Sequence, residues 1–136
     1  MPAPETPKLT TDCLIVAPDG HLLLIRRKND PFKGTYALPG GFVDVGETVE
    51  QACVREVKEE TNLDISPDTL KMIGVYSDPE RDPRGHSVTV AFRAALPDGQ
   101  VPKPGDDAAE TELVAYSQDL EIGFDHHLII QDGLAL

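Results

Sequence analysis

Three glutamates, Glu56, Glu59 and Glu60, crowd together inside the segment GGFVDVGETVEQACVREVKEETNL, residues 40–63. The second half of that segment has helical periodicity. At about 100° per residue, Val49, Ala52, Cys53 and Val57 fall on one apolar stripe. Glu56 and Glu60 lie within this stripe and Glu59 on its edge, whereas Arg55 and Lys58 supply the solvent side. Carboxylates at i and i+4 repel by a few tenths of a kcal/mol, roughly, even in water. The helix dipole disfavours them near the C-terminus, and burial without a partner would raise their pKa. A hard divalent cation removes all three penalties. A set of oxygen ligands suits Mg²⁺ or Mn²⁺ better than zinc. On geometry alone, a solvated acidic patch and a partner-binding helix stay open beside the metal site.

The elements that must position these groups have local signatures. Thr48-Val49-Glu50-Gln51 fits a capping box with Thr48 as N-cap. Asn62 is suited to the left-handed conformation that closes a helix. Upstream, the β-branched run Leu9 to Ala17, the turn Pro18-Asp19-Gly20 and the run His21 to Arg27 predict a hairpin. Downstream, LKMIGVYSDP and HSVTVAFRAAL read as strands, Thr111 to Ser117 as a last short strand, and FDHHLIIQDGLAL as a helix capped by Asp125. Strands mixed with helices, without internal repeats, predict one α/β domain over residues 1–136, with residues 1–8 as a flexible lead-in.

Composition narrows the function. A net charge of −12 argues against general nucleic-acid binding, which needs basic patches. An anionic ligand would therefore need a cationic mediator. No apolar run approaches the roughly 18 residues of a membrane span, and MPAPETPKLT lacks the plan of a secretory signal. Cys13 and Cys53 form no CxxC pair, which suggests reduced, buried thiols in a cytoplasmic protein.

Gly41, Glu47 and the stretch REVKEETNL are spaced so that the segment resembles the Nudix box, G-x5-E-x7-R-E-U-x-E-E-x-G-U with U aliphatic. Asn62 is the one departure, standing where the pattern has Gly, and it is the next-best residue for a left-handed terminus. The resemblance implies an α/β/α sandwich with a mixed sheet and a loop-helix-loop, hydrolysing a diphosphate linked to a further group. It also implies Mg²⁺ or Mn²⁺, two or more ions, held by Glu56, Glu59, Glu60 and the Gly40 carbonyl. Arg55 would pair with Glu47 and hold the loop against the helix. The general base would be Glu59, or else Glu110 in the loop GDDAAE with Glu112 beside it; a solvated loop acid is the plainer reading of Glu110.

The segment SDPERDPRGH, residues 77–86, resembles the corresponding stretch of ADP-ribose pyrophosphatases in that superfamily. Pro79, 16 residues beyond Leu63, matches the proline of their specific members. This implies a nucleoside diphosphate sugar as substrate, with Gly41, Arg27, Arg81, Arg84 and Asp78 as substrate-binding positions and Asp82 as a further ribose acceptor. The plainer reading is a loop stiffened by Pro79 and Pro83 and tied by Arg–Asp pairs. His86 reads as structural. Of the adjacent His126 and His127, at least one is expected to face solvent. Phe32 and Tyr36 are candidates to stack an adenine, or else core residues. Other Nudix substrates, a non-catalytic ADP-ribose sensor and an acidic interaction module remain as rival readings. Similar enzymes are frequently homodimers, so the resemblance makes a homodimer a candidate assembly.

Overall fold

A computed structural model describes residues 2–105 and 110–136. The chain order is β1 (Lys8–Val16), β2 (Leu22–Arg26), β3 (Tyr36–Ala37), β4 (Gly40–Phe42), α1 (Val49–Thr61), β5 (Lys71–Tyr76), β6 (Ser87–Ala95), β7 (Glu110–Val114) and α2 (His126–Leu134). The seven strands form one mixed sheet. Its main path runs β3-β2-β1-β6-β5, with β4 added to β1 and β7 to β2. β1 and β6 pair in parallel from Lys8↔Ser87 to Val16↔Ala95, while the other pairs between named strands are antiparallel.

Strand β1 shows why this is a sandwich. Successive side chains of a strand point to opposite faces. Cys13 and Ile15 enter a core with Cys53 and Val57 of α1. Leu14, between them, enters a second core with Ile129 and Ile130 of α2. An apolar run buried on both faces needs a layer on each, and the two helices supply them. The α/β/α sandwich expected from the sequence is thus the fold. Cys13 and Cys53 are free and buried, as expected. Among the described residues, no helix is long and apolar enough to cross a membrane.

The expected hairpin, strands and helices are present, with three local differences. Lys8, assigned from sequence to the lead-in, is the first residue of β1, and its N–H donates to the His86 carbonyl at 3.2 Å. The short strands β3 and β4 were not anticipated, because each owes its geometry to a distant partner rather than to its own composition. Asp125 stands at the N-cap of α2, but its carboxylate makes no cap bond, since Arg81 holds it from across the structure.

Candidate active site

Helix α1 begins and ends as its sequence dictates. Thr48 accepts from the Gln51 N–H and Gln51 accepts from the Thr48 N–H, closing the capping box. Asn62 adopts the left-handed conformation at φ 62° and donates to the carbonyls of Lys103 and Pro104 at 3.0 and 3.3 Å. Lys103 and Gly105 in turn donate to the carbonyls of Thr61 and Glu60. The segment ahead of β7 is thereby laced to the acidic end of the helix, satisfying carbonyls that the terminus would otherwise leave open.

β4 lies against that helix through two glycines. The Gly40 N–H donates to Glu60 Oε1 at 2.8 Å. A Cβ on Gly40 would sit 2.1 Å from the Thr11 carbonyl oxygen, and one on Gly41 would sit 2.5 Å from the Glu56 carboxyl carbon. Only glycine lets the backbone come this close to both carboxylates.

Arg55 is not on the solvent side, as its helical position suggested. Its side chain folds back along the helix, donating twice to Glu47 at 2.7 and 2.9 Å, to Glu56 at 2.9 Å and to the Phe42 carbonyl at 2.9 Å. It also reaches exposed Glu59 at 3.3 Å. The pairing of Arg55 with Glu47, which the resemblance implied, is thus formed, and it joins the box loop to the helix. The Arg55 hydrogen bonds hold the Glu47 carboxyl down at about 2. Burial pushes Glu56 up, opposed by Arg55. Burial also pushes Glu60 up to about 8, against the Gly40 hydrogen bond and with neighbouring Glu56 and Asp12 adding to the rise.

Glu60 opens onto a cavity of about 190 Å³ whose walls also carry Asp12, Arg27, Arg81, Arg84 and Phe124. The guanidinium groups of Arg27 and Arg84 lie 4.9 and 5.6 Å from the centre of the Phe124 ring. Burial lowers the Arg27 pKa, and the nearby Arg84 charge adds to that. Two like charges beside one ring make a seat for a polyanion. Arg84 also pairs with Asp82 at 2.8 Å.

Arg81 is placed differently. Its buried side chain donates twice to Asp125 at 2.9 and 2.8 Å and once to Ser87 at 2.8 Å. It reaches the cavity wall already engaged, tying the 78–85 loop to the start of α2. Asp78 is exposed, accepts from the Glu80 N–H at 2.8 Å and stands outside the cavity lining. Glu110 opens β7 opposite Arg26 and pairs with it at 3.5 Å, also outside that lining. Asp106 to Ala109 of the expected GDDAAE loop lie outside the described residues. Glu112 accepts from the Tyr36 hydroxyl, and the Arg26 guanidinium lies 4.3 Å from the centre of the Tyr36 ring, which stands outside the cavity lining.

Three contributors escaped sequence reasoning. Asp12 accepts from the Thr89 hydroxyl at 2.7 Å and lies 3.5 Å from His126 Nε2. Its one signal was a charge set inside an apolar strand. Buried His126 accepts at Nδ1 from the Leu38 N–H at 3.0 Å, and burial depresses its pKa. His127 is half-buried, with its ring nitrogens on the Tyr116 hydroxyl and the Leu120 carbonyl. Neither histidine of the pair is free in solvent, because the first turn of α2 packs on the sheet. Phe124 holds φ 56°, an uncommon conformation beside the cavity. His86 is structural as expected, bonding the Ser77 carbonyl at 2.9 Å.

Glu60 and the β4 glycines line this cavity, and the Glu56 carboxylate stands beside Gly41. Among the described residues, no three His, Cys, Asp or Glu side chains are grouped closely enough to hold an ion as they stand; Arg55 engages Glu56 and Glu59. The all-oxygen donor set nevertheless fits a hard divalent cation. Glu60, half-buried beside the Glu56 and Asp12 carboxylates, is the group that most needs one.

Comparison with known proteins agrees with the geometry. The family model of the NUDIX domain matches residues 6–126. An ADP-ribose pyrophosphatase of Methanocaldococcus jannaschii is 51% identical over 118 residues, 87% of this chain and 68% of that protein. The ADPR responsive transcriptional repressor NtrR of Acinetobacter baylyi is 36% identical over 96% of this chain and 54% of its own length. The crystal structure of a MutT/nudix family protein from Enterococcus faecalis superposes with a TM-score of 0.90 at 31% identity, covering 99% of this chain and 63% of that one. A bifunctional NMN adenylyltransferase/ADP ribose pyrophosphatase from Francisella tularensis, solved with AMP and a Mn ion, gives 0.83 at 29% identity, over 98% of this chain and 43% of that one. By sequence, by fold and by the arrangement of its acidic helix, this chain belongs to the Nudix family and is a Nudix hydrolase.

Proposed function

We propose that this chain hydrolyses the diphosphate of ADP-ribose, adding one water and releasing AMP and ribose 5-phosphate, with Mg²⁺ or Mn²⁺ bound as two or more ions. The observation that carries this reading is one cavity with Glu60 on one wall and the paired guanidiniums of Arg27 and Arg84 on another. The 51% identity to an ADP-ribose pyrophosphatase supports the choice of substrate. The two free, buried thiols support a cytoplasmic location.

Glu56, Glu60 and the Gly40 carbonyl would hold the cations, with Glu59 completing the set. When bound, such ions neutralise phosphate oxygens and acidify water. Arg27 and Arg84 receive the diphosphate oxygens, and Arg81 holds the loop that carries Arg84. Arg55 fixes the box loop through Glu47, so that the glycines of β4 stay against the carboxylates. A carboxylate takes the proton of the attacking water, Glu59 from the helix or Glu110 from the strand that follows the laced segment.

A second reading follows from the similarity to a transcriptional repressor that responds to ADPR: binding of ADP-ribose without turnover. A substrate panel separates the readings. ADP-ribose, NADH, diadenosine polyphosphates and nucleoside triphosphates are incubated at fixed Mg²⁺ and products resolved by chromatography. Selective AMP release from ADP-ribose is expected. Selective turnover of another member would keep the family chemistry and overturn the substrate. Binding of ADP-ribose without turnover would favour the second reading.

A further inference from the structure

The cavity between Glu60 and the paired arginines, at about 190 Å³, lies below the roughly 300–1,000 Å³ of sites that enclose a whole small ligand. A diphosphate with two nucleoside-sized arms must extend beyond it. A wider groove of about 600 Å³ opens alongside, between the segment Glu5–Lys8 and the turn at residues 84–87. The two spaces share Phe42, Asp82, Arg84 and Ser87. A ligand with its phosphates on Arg84 therefore has a direct path into the groove, past the Phe42 ring.

Phe42 is the aromatic residue with a face to offer there. It is 49% exposed. Its backbone is fixed by pairing with Thr10 and by the bond from Arg55 to its carbonyl, so the ring stands in constant register with the acidic helix. The Lys8 ammonium lies 5.5 Å from its centroid. Among the described residues, no other Phe or Tyr ring lines that groove. Phe92 is in the core. Phe124 is ringed by Arg27, Arg84, Phe32 and His126. Tyr36, Tyr76 and Tyr116 have their hydroxyls bound to Glu112, Asp132 and His127.

We infer that this groove is the adenosine subsite, with the adenine base stacked on Phe42 between the Glu5–Lys8 segment and the 84–87 turn. The inference rests on the ADP-ribose reading above. A flat aromatic face recognises a base far better than it recognises a ribose, which has no π-surface to stack. The ribose 5-phosphate half then lies on the opposite side of the arginines.

The test uses the two products as probes, AMP and ribose 5-phosphate, titrated separately into the full chain with Mg²⁺ present. Phe42→Ala is expected to weaken AMP about tenfold, about 1.4 kcal/mol, the scale of one lost base stack. Ribose 5-phosphate should change by less than about twofold on the same scale, and Phe42→Tyr should retain AMP affinity. Unchanged melting of Phe42→Ala shows that the fold is kept. Weakening of ribose 5-phosphate instead, equal weakening of both, or no change in either overturns the assignment. AMP binding that depends on Phe42 in a protein that does not turn over ADP-ribose would keep the subsite and refute the substrate; turnover without any dependence on Phe42 would do the reverse.

Discussion

Replacing Glu60 by Gln should make the metal-free protein more stable at high pH and less responsive to metal. The Glu60 carboxyl is raised from its ordinary 4.5 to about 8, first by burial. Between those values the folded state holds a proton that the unfolded chain has lost. Stability is therefore fully present below pH 4.5 and falls as pH rises through 8. At about 1.4 kcal/mol per pH unit the loss approaches about 5 kcal/mol, and solvent screening at a half-buried site reduces it to a few. The amide introduced by Glu60→Gln keeps an oxygen for the Gly40 N–H and carries no charge. In chelator at pH 9 the variant should melt above the wild type by roughly 6–12 °C, at about 3 °C per kcal/mol for a domain of this size. At pH 5 the two should coincide. With excess Mg²⁺ the gap should close, because the ion stabilises the wild type by about 2.7 kcal/mol at a hundredfold excess over its Kd, comparable to the deficit, and gains little from an amide. Differential scanning calorimetry in both conditions decides it. A variant melting at or below the wild type at pH 9 in chelator, or equal Mg²⁺ shifts for both, would refute the reasoning.

Other expectations separate scaffold from chemistry. Arg81→Ala strands the carboxylate of Asp125 beside a buried network and should cost about 3–5 kcal/mol in chemical denaturation; Arg84→Ala takes the guanidinium from buried Asp82 but leaves its bond from the N–H of residue 84, so it should cost less, about 1–2 kcal/mol, and raise KM for the substrate. Gly40→Ala drives a Cβ into the Thr11 backbone and should destabilise strongly, read by thermal melting. Gly41→Ala meets only the flexible end of Glu56, so it should melt near the wild type while lowering kcat about 100-fold or more by displacing that carboxylate. Glu47, held at about 2 by Arg55, contributes stability that is present above 4.5 and lost as pH falls towards 2; Glu47→Gln should flatten that acid limb in pH-dependent unfolding.

What the sequence disclosed about this protein was local. The capping box at Thr48, the left-handed Asn62 and the inward set of Glu56 and Glu60 follow from residues within a helix length of one another, and the structure has them all. Arg55 shows the limit of helical position, because a long side chain can fold back along its own helix to four oxygen partners. Asp12, His126 and Phe124 come to the cavity only through the parallel pairing of β1 with β6 and the docking of α2, contacts between residues far apart in the chain. Asp78 and Glu110 have local partners that their sequence positions do not announce, the Glu80 N–H for the first and Arg26 for the second. A carboxylate that finishes its hydrogen bonds locally reads the same in sequence as one that waits for a ligand.

The central claim is that the acidic end of α1 and the paired arginines together cleave the diphosphate of ADP-ribose. Its most direct test is to follow AMP and ribose 5-phosphate from ADP-ribose with the wild type in Mg²⁺, with the wild type in chelator, and with Glu60→Gln in Mg²⁺. The account predicts equimolar products in the first and essentially none in the other two. Undiminished AMP release in chelator or in the Glu60→Gln protein would contradict it.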